Sequence, residues 1–214
     1  MTAHTHHPSD ALIAGFATGG LPLGPSLAVR LHVEICLACQ SSVQEIEAAQ
    51  GQRLLVQPDA PMRPDALQRA LDAIDVGFEP TAAGSEGASP PPGLRLPASL
   101  TDIGLAAPVH LTPDAWVAHL AAPRVGGWRT YLFCAPAGTA LPTHGHLGDE
   151  LIMVLEGGFD DGRTFVSGDF VENTTGFVHT MQVWPNSRMV ALISSGDAIA
   201  WRPADRDIGA RLDI

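Results

Sequence analysis

Two groups of metal-binding side chains stand out in this chain of 214 residues. The downstream group consists of His144, His146, Glu150 and His179. Because side chains alternate between the two faces of a β-strand, His144 and His146 are predicted to project from one face of the same strand. A turn after His146 would bring Glu150 in from the next strand, and His179 would enter from the opposite wall. Three imidazoles and a carboxylate form a ligand set for a divalent metal ion such as Zn²⁺, Fe²⁺, Mn²⁺ or Ni²⁺.

The upstream group combines one histidine with two cysteines at helical spacing. His32, Cys36 and Cys39 stand at positions i, i+4 and i+7, which fall within about 60° of one another on one helix face. Thiolates and an imidazole favour Zn²⁺, which needs one more ligand. The N-terminal segment offers three candidates for that ligand: His4, His6 and His7. The alternatives for the two cysteines are a pair of buried thiols or a thioredoxin-like redox pair, but the βαβ pattern expected around a redox pair is not visible.

Helices are expected to carry the upstream group, because apolar side chains recur at helical spacing through the first eighty residues. Ser9 can cap a short first helix. A second, continuous helix is predicted from about Ser26 to near Gly51, with the histidine and both cysteines on it. A third begins at Pro64, a favoured first-turn residue, and ends before Gly77. Its apolar stripe consists of Leu67, Ala70, Leu71 and Ile74.

Strands are expected to carry the downstream group. Residues 77–100 are rich in glycine, proline and serine and predict a linker. Beyond it, short β-type runs lie between turn signals, which favours a small barrel or jelly roll. These runs are 116–120, 128–133, 150–155, 157–160, 163–166, 168–171, 180–183 and 189–194. The predicted architecture is therefore multidomain, α then all-β: a zinc-bound helical bundle at 1–78, a linker at 79–100 and a β-barrel at 101–214.

Composition restricts the class of protein. An apolar content of 45% with 16% charged residues excludes a wholly disordered chain, and a net charge of −11 argues against nucleic acid as a direct partner. A basic protein partner would suit that charge better. No signal peptide and no apolar run of about 20 residues is visible, so no membrane contact is expected. Three cysteines are too few for a secreted disulfide framework, and a cytoplasmic location is predicted. Cys134 is expected to be a buried structural thiol rather than a redox group.

The downstream group resembles the cupin superfamily. Its first motif, Gly-x5-His-x-His-x3-Glu-x6-Gly, begins at Gly138 and ends at Gly157. The second motif is matched in part, by Gly168, Gly176 and His179; Thr174 stands where proline is usual, and Val183 where asparagine is usual. The resemblance implies a cupin β-barrel over about 101–200, with the four downstream ligands around one metal ion. Cupins include enzymes, sugar binders and catalytically silent modules, so the fold does not define the function.

The whole chain resembles the ChrR family of zinc-dependent anti-sigma factors. The resemblance rests on the stretch His6-His7-Pro8-Ser9-Asp10-Ala11-Leu12, on the His-x3-Cys-x2-Cys pattern and on a cupin behind a linker. It implies one Zn²⁺ on His7, His32, Cys36 and Cys39, and zinc in the cupin as well. It also implies a cytoplasmic regulator that holds a sigma factor of the extracytoplasmic-function type, as a heterodimer, until an oxidative signal such as singlet oxygen ends the inhibition.

The surface that would hold such a partner is expected on the helices. The stripe of the third helix could equally be ordinary core; the resemblance implies instead that it packs against the partner, together with part of the first helix. The residues assigned to this surface are Leu12, Phe16, Leu67, Leu71 and Ile74. Acidic residues near the stripe, Asp65, Asp72 and Asp75, could complement a basic sigma factor or form a solvated face.

Two other classes of function remain open from the sequence. Three histidines and one glutamate can also bind Fe²⁺, Mn²⁺ or Ni²⁺ and activate O₂, so a cupin dioxygenase with a helical extension is the enzymatic alternative. A barrel that binds a sugar or another small ligand is the third class. It leaves the upstream cysteine pair without a role.

Overall fold

The computed structural model describes residues 4–75, 94–121, 127–212 and 214. Helices occupy mainly the first part of the chain. They are α1 (Asp10–Ala17), α2 (Leu23–Val33), α3 (Leu37–Leu55), α4 (Ala66–Asp75), α5 (Ala98–Thr101) and α6 (Arg206–Leu212), the last preceded by a 3₁₀ turn at Pro203–Asp205. Among the described residues, none of the helices has the length and apolar character needed to cross a membrane.

Twelve strands lie in the described part of the chain after α5. They are β1 (Val109–His110), β2 (Trp116–His119), β3 (Arg129–Ala135), β4 (His144–His146), β5 (Glu150–Glu156), β6 (Gly158–Asp160), β7 (Thr164–Val166), β8 (Phe170–Asn173), β9 (Val178–His179), β10 (Gln182–Val183), β11 (Met189–Ser195) and β12 (Ile199–Trp201). The largest sheet has the order β1-β2-β3-β11-β5-β8, and two three-stranded sheets have the orders β10-β6-β7 and β12-β4-β9. All pairings are antiparallel, as expected for a cupin barrel.

Apart from its exposed edge strand β1, the six-stranded sheet is largely buried on both faces, and its side chains alternate between two cores. Leu132 and Met153 face the helices and belong to one hydrophobic cluster with Leu27 and Leu31 of α2. Phe133, the next residue after Leu132, faces the barrel interior and belongs to a second cluster. The helical layer and the barrel therefore share a hydrophobic core across this sheet, whose central strand β11 is buried along its whole length.

Helix α2 approaches the sheet most closely at Gly24. A Cβ atom added there would overlap the hydroxyl groups of Thr130 and Ser194, which are 3.0 Å apart in a cross-strand pair. Only glycine lets the helix backbone lie this near to the two strands. The close approach fixes the position of α2, and with it the position of His32 near the other end of the helix.

Two of the three predicted helices are confirmed. Helix α1 begins after Ser9, whose side chain accepts a hydrogen bond from the Leu12 amide at 3.4 Å. Helix α4 begins two residues after Pro64 and reaches Asp75. The proposed linker at 79–100 lies mostly outside the described residues, but its end is structured, because α5 begins at Ala98 and Leu100 is buried in the core.

The continuous helix predicted over 26–51 is wrong. The chain leaves the helix after Val33, and the carbonyl of His32 accepts hydrogen bonds from the amides of both Ile35 and Cys36. Cys36 then adopts an extended conformation, with φ −104° and ψ 106°, and becomes the N-cap of α3. Apolar spacing does not distinguish one long helix from two helices that meet at an angle. The cysteines consequently approach His32 across a helix junction and not along one helix face.

Candidate metal centres

Three of the four downstream residues meet inside the barrel. Strand β4 carries His144 and His146, and its neighbour β9 carries His179 directly opposite His144. The Nε2 atom of His179 lies 3.0 Å from the Nε2 atoms of both other rings. All three side chains are buried. The predicted convergence of the three imidazoles is therefore present.

The neighbours of two of these rings, His144 and His179, show that their Nε2 lone pairs point at each other. Nδ1 of His144 lies 2.8 Å from the carbonyl oxygen of Pro142, which can only accept, so this nitrogen carries the proton. Nδ1 of His179 faces the carboxylate of Asp161 at 3.4 Å in the same way. Facing lone pairs at 3.0 Å repel unless a cation lies between them. Since Zn–N bonds of 2.0–2.1 Å place tetrahedral nitrogens about 3.3 Å apart, the triad fits a metal ion.

Glu150 stands at the edge of this group. Its carboxylate lies 3.4 Å from Nε2 of His146 and accepts a hydrogen bond from the Asn173 side chain at 3.0 Å. The set of ligand atoms that all lie within 4.8 Å of one another contains the three imidazoles and not this carboxylate. The structure thus brings Glu150 to the site but holds it toward Asn173, so its role as a fourth ligand stays a prediction.

Burial controls the protonation of the barrel site. Burial lowers the pKa of His144 to about 4, against the opposing effect of its hydrogen bond to the Pro142 carbonyl. Burial also lowers the pKa of His146 to about 3, with further contributions from the two neighbouring imidazoles. The pKa of Glu150 is raised by burial, against the opposing effect of the Asn173 hydrogen bond. Near neutral pH the two rings are therefore neutral, which is the form that binds metal.

A small cavity adjoins the triad. It is lined by His144 and Glu150 on one side and by apolar side chains such as Phe133, Met181 and Trp201 on the other. Its volume of about 20 Å³ has room for roughly one water molecule. The site has room for a metal ion with one small ligand.

The upstream residues form a second group at the junction of α1, α2 and α3. Ligand atoms of His7, His32, Cys36 and Cys39 all lie within 4.8 Å of one another. Nδ1 of His7 is 3.2 Å from Nε2 of His32, 3.4 Å from Sγ of Cys36 and 3.5 Å from Sγ of Cys39. Two thiols and two imidazoles at these separations match a tetrahedral zinc site. We refer to these four residues as the helical cluster.

The surroundings of the helical cluster also suit a metal ion. Nδ1 of His32 lies 2.8 Å from the carbonyl oxygen of Gly168, so its Nε2 lone pair faces His7. Burial lowers the pKa of His32 to about 4, and so keeps the ring neutral. Burial and the neighbouring Cys36 raise the pKa of Cys39 to about 12. A bound dication would reverse this last effect, because a coordinating thiol is deprotonated outright.

The structure selects among the three N-terminal histidines that the sequence left open. His7 belongs to the helical cluster, whereas His6 turns to Asp169 and packs on the ring of Phe165, with ring centroids 4.5 Å apart. The ring of His4 lies 5.8 Å from that of His32, centroid to centroid. Of the described residues, neither His4 nor His6 joins the four-residue group. This agrees with the choice of His7 that the family resemblance implied.

The residues expected to bind a partner fall into two sets. Leu67 and Ile74 of α4 are 71% and 73% exposed, and Leu71 is 47% exposed, so the core alternative for this stripe is not supported. Leu12 and Phe16 of α1 are instead half-buried against the shared core. Sequence reasoning missed four further exposed apolar residues at and after the end of α3, which are Leu54, Leu55, Val56 and Met62. Their signal was an apolar run beyond Gly51, where the helix was expected to stop.

Fold and site together define a class of protein: a metal-binding cupin whose barrel carries a helical layer with its own cysteine–histidine cluster. Residues 103–198 match the family model of the ChrR Cupin-like domain. The chain is 31% identical over 172 residues to the anti-sigma-E factor ChrR of Cereibacter sphaeroides, which covers 77% of this chain and 76% of that protein. It belongs to the ChrR family of anti-sigma factors.

A solved structure supports the same assignment. The crystal structure of Rhodobacter sphaeroides SigE in complex with the anti-sigma ChrR aligns with a TM-score of 0.69 and 26% identity. The alignment covers 90% of this chain and 100% of that one. The similarity therefore extends over the helical layer as well as over the barrel.

Proposed function

We propose that this chain is a cytoplasmic anti-sigma factor that binds and inhibits a sigma factor of the extracytoplasmic-function type in a zinc-dependent way. The observation that carries the proposal is a set of exposed apolar side chains at and after the end of α3 and on α4. We call this set the helical arm and define it by Leu54, Leu55, Val56, Met62, Leu67, Leu71 and Ile74. Exposed apolar side chains that lie close together mark sites of protein–protein interaction.

The helical arm has the chemistry of a helix that docks in a groove. Leu67, Leu71 and Ile74 are spaced i, i+4 and i+7, so they project from one side of α4 as anchors for an apolar groove. The charge also fits, because a chain with a net charge of −11 attracts a basic protein over long range. Asp65 immediately precedes α4 and accepts a hydrogen bond from Arg63. Asp72 lies on α4 and accepts one from Gln68. We infer one sigma factor per chain.

Zinc at the helical cluster would connect the partner surface to the rest of the protein. The cluster joins the N-terminal segment, the end of α2 and the start of α3. Few large apolar side chains hold these helices to one another, and their buried members, such as Ile13, Leu27, Leu31 and Val43, belong to the core that the helices share with the sheet. Metal binding therefore contributes folding free energy to the layer that supports the helical arm. Loss of the metal is expected to release α3 and to weaken sigma binding.

The barrel is proposed to regulate that binding. The helices and the six-stranded sheet share a hydrophobic core, so a change in the barrel can alter the packing of α2. We propose that an oxidative signal, such as singlet oxygen, acts through the barrel and favours a state with lower affinity for the sigma factor. Such regulation requires that the two states differ in stability with and without the signal.

The enzymatic alternative has less support than the regulator. The relative that matches most of this chain is an anti-sigma factor, and the cavity beside His144 is small, with a volume of about 20 Å³. Metal analysis of the purified chain distinguishes the two functions. The regulator is expected to carry about two zinc ions per chain, whereas one redox-active metal and O₂ consumption with a small organic substrate would favour the enzyme.

Co-expression with the extracytoplasmic-function sigma factors of the same genome tests the proposal. We expect the tagged chain to retain one of them through purification, and the C36S/C39S double variant to lose it. The matched control is C134S, because Cys134 is also buried but lies in the sheet, outside the helical cluster. Retention of the sigma factor by C36S/C39S at the wild-type level would disprove the zinc dependence.

A further inference from the structure

The segment that carries His7 is held by the barrel. Residues 5–9 run beside strand β8, where the amide of Phe170 donates to the carbonyl of His6 at 3.0 Å. The amide of Ser9 donates to the carboxylate of Glu172 on the same strand. The barrel thus supplies an edge to which the N-terminal segment is attached one residue before His7 and two residues after it.

Asp169, the residue before β8, makes the densest set of contacts with this segment. Its Oδ1 accepts hydrogen bonds from the amides of Thr5 and His6, at 3.1 and 3.3 Å. Its Oδ2 lies 3.3 Å from Nδ1 of His6 and accepts a bond from the Val166 amide at 3.0 Å. The side chain is only 1% exposed. Both carboxylate oxygens therefore have hydrogen-bond partners. Oδ1 contacts the N-terminal segment, whereas Oδ2 contacts both that segment and the turn between Val166 and Asp169.

The adjacent Gly168 acts on a second ligand of the same cluster. Its carbonyl oxygen accepts the Nδ1 proton of His32 and fixes the ring with Nε2 toward His7. Gly168 thus orients the imidazole of His32 directly, whereas Asp169 holds residues 5 and 6, next to His7; both barrel residues lie more than 130 positions away in the sequence. Partners of this kind commonly change metal affinity by 10- to 100-fold.

We propose that Asp169 is a positioning residue for the metal of the helical cluster: it seats residues 5 and 6 so that His7 reaches the other three ligands. The affinity of the helical cluster for zinc is then determined in part by the barrel. This inference rests on the proposed metal binding at that cluster. His7 is the one exposed member of the four, so it depends most on such an anchor.

The substitution D169N is a selective test. An amide has one accepting oxygen and one NH₂ group, whereas N–H donors approach both oxygens of Asp169. Either residues 5 and 6 or the Val166 turn must lose an acceptor. A second variant, H6F, leaves the barrel unchanged: it keeps an aromatic ring beside Phe165 and removes the bond from the imidazole to Asp169. The control is D102N, at an exposed position just after α5.

Zinc affinity is measured on the full chain by competition with a chromophoric chelator, and Co²⁺ substitution reports the ligand set. We expect D169N to weaken zinc binding at the helical cluster 10- to 100-fold and H6F to weaken it less, with the barrel site and D102N unchanged. Because Asp169 acts through His7, the D169N/H7A double variant should bind zinc no more weakly than H7A does. The thiolate–cobalt spectra of these two variants should also be the same.

Three outcomes would overturn the inference. Wild-type affinity in both D169N and H6F would show that seating residues 5 and 6 is unimportant. Additive losses in the D169N/H7A variant would show that Asp169 acts independently of His7. A wild-type chain without zinc at Cys36 and Cys39 would overturn the proposed metal binding together with this inference, and is recognised by the absence of thiolate–cobalt absorption before any substitution is made.

Discussion

Asp161 holds the ring of His179 from outside the triad. Its carboxylate lies 3.4 Å from Nδ1 of His179 and accepts a further contact from Arg163, and its side chain is fully buried. Burial opposes ionisation of this carboxyl group, but the hydrogen bonds from His179 and Arg163 outweigh it, so that its pKa is lowered. An ionised Asp161 keeps the Nδ1 proton on His179 and leaves Nε2 free for the metal.

The first prediction concerns this contact. D161N should lower the affinity of the barrel site for zinc about 10- to 100-fold, because the amide no longer fixes the tautomer of His179. The helical cluster should keep its zinc, so the stoichiometry in a chelator titration falls from two tight sites to one. The neighbouring D160N is the control, since the Asp160 carboxylate accepts a hydrogen bond from Thr164 in the β6–β7 hairpin. Equal affinities of D161N and D160N would contradict the assignment.

The second prediction tests the shared core between helices and sheet. G24A should destabilise the protein by about 1–3 kcal/mol, because the added methyl group overlaps the hydroxyls of Thr130 and Ser194. G51A is the matched control. Gly51 lies within α3 with open space around its Cβ position, so alanine there should stabilise by up to about 1 kcal/mol. Urea unfolding measures both, and similar free energies for the two variants would show that α2 does not press on the sheet.

The third prediction concerns the helical arm. L67S and I74S should each weaken sigma binding about tenfold or more, since apolar anchors carry most of the free energy of such interfaces. Both side chains are exposed in the free chain, so the free energy of unfolding should change by less than about 0.5 kcal/mol. L147S provides the control, because Leu147 is exposed on the barrel side. If L67S and I74S bind the sigma factor as tightly as L147S does, the interface lies elsewhere on the protein.

The fourth prediction follows from the buried imidazoles of the metal-free protein. The pKa values of His32, His144 and His146 are lowered to about 4, 4 and 3, whereas an unfolded histidine titrates near about 6.5. Between these values the unfolded chain binds more protons, so stability rises with pH. The stabilisation is present above about pH 6.5 and is lost as the pH falls through 4 towards 3. Thermal melts of the chelated protein should show that its melting temperature decreases as the pH falls over this range. In H144A this dependence on pH should be weaker.

The ligand sets and the elements that carry them were largely accessible from the sequence. All eight predicted β-runs overlap strands, and the two histidines at 144 and 146 lie on one strand as the period of two requires. Most of the metal ligands stand close together in the sequence and are of characteristic residue types. The motifs at 32–39 and 138–157 could therefore be recognised from the sequence alone. The missed strands, such as β1 and β9, have two residues each and leave no periodic signal.

The residues that position those ligands could not be predicted. Asp161 contacts His179, Asn173 contacts Glu150, and Asp169 contacts residues 5 and 6 beside His7. These pairings depend on tertiary structure, and a single aspartate carries no pattern of its own. The break between α2 and α3 was missed for a related reason, because the chain turns where the carbonyl of His32 accepts two amides. The exposure of the apolar side chains in the helical arm likewise depends on tertiary packing, because it is determined by which other parts of the chain pack against them.

The most direct test of the account is the affinity of the purified chain for its sigma factor, measured by calorimetry before zinc removal, after chelation and after zinc is added back. We predict tight binding of one sigma factor per chain, a loss of at least tenfold after chelation, and recovery with Zn²⁺. Unchanged affinity after verified removal of the metal from Cys36 and Cys39 would contradict the central claim that zinc maintains the surface that binds the sigma factor.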